Sequence, residues 1–143
     1  MSSQAETRSA SSSIPDAVTT VVPVVGRAMI SAIFLLSGFS KLAAPAMTIG
    51  YIQSVGLPLP TAAFVLSAFV EIVGGLALLL GFRTRIVASI LFLFALATAA
   101  FFHRNFSDQD QFIHFFKNIA IAGGLLHVVA FGGGRWSLDG RRS

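Results

Sequence analysis

Residues Thr61–Arg85 read TAAFVLSAFVEIVGGLALLLGFRTR, about twenty apolar residues interrupted by one carboxylate, Glu71. At roughly 1.5 Å of helical rise per residue, Glu71 lies about 15 Å from Thr61, half the thickness of a bilayer core. A lone acid at that depth costs about 2.5–3.5 kcal/mol on insertion scales. It must turn away from lipid, towards a group on a neighbouring helix or towards water. The stretch reads as a transmembrane helix, and the remaining chain as what surrounds its carboxylate.

Composition agrees with that reading. The 143 residues are 55% hydrophobic and 11% charged, with a mean hydropathy of +0.80. A soluble domain carries about a quarter charged residues, so an integral membrane protein is expected. Cysteine is absent, which removes disulfides, thiolate nucleophiles and Cys-ligated metals from consideration. A redox role would need a bound cofactor or a partner chain. Net charge +4 and a pI near 10.8 point to orientation in a membrane rather than to nucleic acid, because the basic residues are spread between apolar spans.

Upstream of the opening stretch, Gly56-Leu57-Pro58 and Pro60 close an uncharged segment, 46–60, which is predicted to be interfacial or re-entrant. Before it the first span runs from about Val24 to Ala44, with Pro45 as its stop. Residues 1–20 are rich in Ser, Thr and Ala and are predicted to form a disordered tail. Downstream, Gly81-Phe82-Arg83-Thr84-Arg85 turns into a third span, about Ile86 to Phe102. The polar link HRNFSDQDQ separates it from a fourth, about Phe112 to Phe131, which Gly132-Gly133-Gly134 ends. Trp136 follows as an interface anchor. The expected fold is all-α: four transmembrane helices in one bundle over residues 21–134, with a short basic tail at 135–143.

Lysine and arginine orient the bundle. Arg8, Arg27, Arg83, Arg85, Arg135, Arg141 and Arg142 fall on one side, and Lys41, Arg104 and Lys117 on the other. Seven against three predicts that both termini are cytoplasmic.

The polar residues inside the spans form stripes. Arg27, Ser31, Phe34, Gly38 and Lys41 share one face of the first helix, and Ser67, Glu71, Gly74 and Leu78 one face of the second. Lys117, Ala120, Gly124, His127 and Phe131 do the same on the fourth. Small residues permit close helix approach and polar ones bridge helices, so the three stripes are expected to face one another. Lys41, Lys117, Arg27 and His127 are then the candidate electrostatic partners of Glu71. Glu71 has two roles open to it: a structural ion pair, or a proton-handling or ligand-binding carboxylate, the best candidate for a catalytic group. His103 and His114 flank the outer link beside Asp108 and Asp110, but their spacing fits no tight metal-ligand motif, and no metal site is predicted.

These residues resemble the DoxX family of small four-helix membrane proteins. The resemblance is carried by Ser37-Gly38-Phe39-Ser40-Lys41-Leu42, Gly56-Leu57-Pro58, Glu71 with Gly74-Gly75 and Leu78, and Gly81-Phe82-Arg83-Thr84-Arg85. Lys117-Asn118, Gly123-Gly124 and the tail from Gly132 to Asp139 complete it, over about residues 24–140. It implies a bacterial inner-membrane protein whose better-understood relatives are linked to redox chemistry, including subunits of a thiosulfate:quinone oxidoreductase. The expected function is a redox-associated subunit that binds a quinone-like or other small apolar ligand in the bundle, beside an oxidoreductase or a second copy of the chain. Two other readings are a scaffold or assembly partner without a ligand and a small transporter. Whether the chain is itself an enzyme is left open.

Overall fold

A computed structural model describes residues 14–143. Its regular structure is five helices: α1 (Asp16–Ala43), α2 (Pro45–Ser54), α3 (Pro60–Leu80), α4 (Thr84–Phe102) and α5 (Gln109–Phe131). All but α2 are long and apolar enough to cross a membrane, and the chain is an all-α membrane protein.

Turn chemistry sets the boundaries. α1 starts at Asp16, well upstream of the Val24 expected from the sequence: Pro15 (φ −53°, ψ 138°) flanks it in an extended conformation, and the Asp16 carboxylate sits at the positive end of the helix. Residues 16–20 are therefore helical rather than tail, and residues 1–13 lie outside the described residues. The uncharged segment 46–60 contains α2, entered through Pro45 at its first turn and left at Gly56 (φ +82°). Pro60 opens α3 in the same way. Gly81 closes α3 in the left-handed conformation that a side chain would strain, and its N–H reaches the Leu78 carbonyl at 3.1 Å. Asp108 caps α5, its carboxylate accepting from the N–H groups of Asp110 and Gln111, and Gly132 ends that helix.

The bundle is built from two close pairs. α1 packs along α3 and α4 along α5; α3 and α4 join the pairs, while α1 and α5 touch only narrowly. Glycine permits the first approach: a Cβ on Gly38 would stand 2.6 Å from Ile72 Cγ1 and 3.2 Å from Glu71 Cβ. Phe34, Leu78, Ala88, Leu91, Ala95, Ala122 and Leu125 fill the centre. The stripes expected on α1 and α3 do face inward, and Arg27, Ser31, Phe34, Gly38, Glu71 and Leu78 are buried. The stripe expected on α5 does not. That helix turns Asn118, Ile121, Ala122 and Leu125 inward and leaves Lys117, Ala120, His127 and Phe131 exposed. His127 needs no partner inside the bundle, because its Nδ1 lies 3.1 Å from the Gly123 carbonyl oxygen of its own helix.

Beyond α5 the basic tail folds back over the turn between α3 and α4. The Leu138 N–H donates to the Leu80 carbonyl at 3.1 Å, and the Asp139 N–H to the Gly81 carbonyl at 3.0 Å. Both ends of the described chain therefore meet at one end of the bundle, and α2 and the α4–α5 link occupy the other.

Candidate functional site

Lys41 and Glu71 meet because α1 and α3 are antiparallel and unequally placed. Gly38 of α1 is level with Glu71 and Ile72, so α1 ends while the first turns of α3 continue past it. Side chains lean towards the N-terminus of their helix, which on α1 carries the Lys41 amine back into the bundle to the level of Glu71. The ammonium donates to both carboxylate oxygens, at 2.8 Å to Oε1 and 2.7 Å to Oε2. It also donates to Ser37 Oγ at 2.9 Å, and that hydroxyl donates to Glu71 Oε1 at 3.0 Å. Ser37 is one turn before Lys41 and so lies on the same face. The Glu71 side chain is 5% exposed and that of Lys41 23%, making this a buried pair open to a cavity on the lysine side.

That cavity holds about 710 Å³ and lies between the two helix pairs at the end away from the chain termini. Ser37, Lys41 and Glu71 form its polar wall on α1 and α3, while His103, His114, Lys117 and Asn118 belong to α4 and α5. Aromatic and aliphatic side chains, among them Phe34, Phe94 and Phe101, line the space between. α2 borders it as well: Tyr51 packs its ring 5.5 Å from that of Phe102 and donates its hydroxyl to the Phe102 carbonyl at 3.4 Å. A short helix between two prolines thus becomes part of the wall, with Met47, Thr48 and Ile52 facing the space.

At the rim His103 and His114 stack, ring centroids 5.1 Å apart and planes 24° from parallel. Burial, reinforced by His114 and Lys117, holds the His103 imidazole below its ordinary pKa, so it is neutral at pH 7. A neutral His103 ring lies against His114 without like-charge repulsion. Asp108, which the sequence places near them, caps α5 instead.

Of the residues proposed from sequence, Glu71, Lys41 and Lys117 come together around the cavity, and Arg27 and His127 do not. Arg27 lies at the opposite end and is 2% exposed. Its Nη1 donates to the Leu78 and Leu79 carbonyls at 3.2 and 3.1 Å, and its Nη2 to the Trp136 carbonyl at 2.7 Å. The last carbonyls of α3 have no helical partner and carry the negative end of its dipole, so the guanidinium meets both needs. Ser37, Tyr51 and Asn118 were not anticipated at the site. For Ser37 the signal was available, four residues before Lys41; Tyr51 depends on where α2 docks.

Comparison with known proteins follows the same outline. The DoxX family model matches residues 22–104, which span α1 to the end of α4. Inner membrane protein YqjF of Escherichia coli is 36% identical over 119 residues, 81% of this chain and 88% of that protein. Inner membrane protein YphA of the same organism is 31% identical over 126 residues, 85% of this chain and 90% of that protein. No solved structure matches the chain. With Ser37, Lys41 and Glu71 inside the matched segment, and with relatives 36% and 31% identical that cover more than four fifths of the chain, the chain belongs to the DoxX family.

Proposed function

We propose that the chain is an integral inner-membrane protein whose cavity binds a quinone-like or other small apolar ligand in the service of a redox complex. The observation that carries this reading is the cavity of about 710 Å³ whose apolar lining is broken at one wall by Lys41, Glu71 and Ser37. Ligand sites have this composition: mostly apolar, with a few converging polar groups. A ring carrying carbonyl oxygens needs donors at its edge and aromatic or aliphatic neighbours on its faces. Asn118 and Lys117 are available donors, Lys41 becomes one only by leaving Glu71 or Ser37, and Phe34, Phe94 and Phe101 supply the faces. Glu71 would handle the proton, with Lys41 holding its charge until a ligand competes for the ammonium. A chain without cysteine has no thiol chemistry of its own, so electrons would be exchanged between the bound quinone-like ligand and a partner oxidoreductase.

The names of the two relatives support the inner-membrane location, and the seven-to-three distribution of basic residues supports cytoplasmic termini. The deciding experiment is titration of the purified protein with a short-chain quinone, read by thermal shift and by direct binding. Saturable binding that is lost in Glu71→Gln with the fold retained is expected. Absence of saturable binding in the wild type overturns the ligand reading.

The scaffold reading is favoured by a different observation, the Lys41–Glu71 contact itself, which ties α1 to α3. It predicts that Glu71→Gln weakens association with a co-purifying partner and leaves no ligand effect to detect.

A further inference from the structure

At the end opposite the cavity, the α3–α4 turn, the start of α4 and the folded-back tail enclose a groove of about 790 Å³. Arg83, Arg85, Arg135 and Arg142 line it, together with Ser143 and one acidic side chain, the Asp139 carboxylate. That carboxylate is already engaged, accepting from the Arg83 N–H at 2.8 Å, the Thr84 N–H at 2.7 Å and the Thr84 hydroxyl at 2.6 Å. The four guanidinium groups donate no hydrogen bond and form no salt bridge among the described residues. Arg85 lies against Gly132, where a Cβ would stand 3.4 Å from its Nε, and Arg142 lies over the Phe82 ring at 5.9 Å. Both are exposed, with their N–H forks unused. Beside the groove, Phe131 is 80% and Trp136 64% exposed. Exposed aromatic residues at helix ends sit at the level of lipid headgroups, which puts the four cations at the depth of headgroup phosphates.

We propose that this groove binds the phosphate headgroup of an anionic lipid. The guanidinium fork matches two phosphate oxygens at once, which a lysine ammonium cannot do, and basic pockets between membrane helices are a general means of holding anionic headgroups. The role goes beyond orienting the chain, which needs only the number of charges and not their convergence. It is also independent of any ligand in the cavity at the other end.

Trp136 is the chain's only tryptophan and adjoins the groove, so its fluorescence reports on the lipid there. The experiment places the protein in phosphatidylcholine nanodiscs doped with brominated phosphatidylglycerol or brominated phosphatidylcholine and compares the quenching of Trp136. Preferential quenching by the anionic lipid is expected, with a preference that falls about five-fold for each arginine removed in Arg85→Gln and Arg135→Gln. Arg104→Gln, at the other end of the bundle, should leave it unchanged. Arg85→Lys with Arg135→Lys keeps the charge and orientation and should still lose part of the preference. Equal quenching by the two lipids overturns the proposal, as does a loss in Arg104→Gln equal to that in the groove variants. Inorganic phosphate is the second arm: if millimolar phosphate alone removes the preference at constant ionic strength, the groove is a site for soluble phosphate and the lipid assignment fails.

Discussion

Lys41 and Glu71 stabilise the fold only as a pair. Removing one partner of a buried ion pair leaves the other charge without compensation, which typically costs about 3–5 kcal/mol. Glu71→Ala and Lys41→Ala should each lower stability by that order, and Lys41→Met combined with Glu71→Leu should be milder than either. A thermal-denaturation cycle checks this, with a large coupling expected between Glu71 and Lys41 and a small one between Glu71 and Lys117. From sequence four cations competed for Glu71. What the spacing could not supply was the offset between α1 and α3, which sets Gly38 against Glu71 and Ile72, brings Lys41 to Glu71 and leaves Arg27 at the far end of α3. Arg27→Ala should cost at least about 1.5–3 kcal/mol, the range for one charge-assisted hydrogen bond, since three are lost, read as a lower melting temperature in detergent.

Among the elements, α4 depends most on distant sequence. Its N-cap, Arg83, offers no capping side chain, and Asp139 supplies the missing acceptor from beyond α5. Asp139→Ala should cost about 0.5–2 kcal/mol, the range for a lost cap. The Thr84 hydroxyl and N–H, with the Arg83 N–H, hold the Asp139 carboxyl below its ordinary pKa. A lowered carboxyl pKa in the folded state means that this stabilisation is fully present at neutral pH and is lost as pH falls through the lowered value. The slope of melting temperature against pH in the acid range should be shallower in Asp139→Asn. His103 has the same sign for a different reason. Its imidazole is kept neutral by burial, so its contribution is complete above the ordinary histidine value, about 6.5, and declines on acidification below it. His103→Gln should flatten that part of the curve. Neither Asp139 nor the inward face of α5 was legible locally: a cap contributed 55 positions away has no short-range pattern, and a helix that is apolar nearly all round does not announce which side faces the bundle.

For the whole molecule, the four spans and the glycine stop after α5 were readable, because hydropathy and proline or glycine punctuation are strong signals in membrane segments, whereas 46–60 was read only as a separate uncharged segment and not as the helix α2. The sequence could not convey that the helices form two close pairs with a cavity between them, since that follows from which small residues meet. Orientation is testable directly, because the chain lacks cysteine. Single cysteines at Ser143 and Ser107 should label oppositely with a membrane-impermeant maleimide applied to intact cells, Ser107 reacting and Ser143 protected.

The clasp of Arg27 on the Trp136 carbonyl also sets an order in time. The two residues are 109 positions apart, which at ribosomal rates is roughly 5–20 s of synthesis. Through that interval Arg27 has only its α3 acceptors, the Leu78 and Leu79 carbonyls, and α4 stands without Asp139 at its start. That end of the bundle therefore closes only after every span has been made, which makes the tail the last part of the chain to complete the fold. A chain cut after Arg135 should insert with all four spans yet be cleared by membrane proteases, whereas one cut after Gly140 should persist.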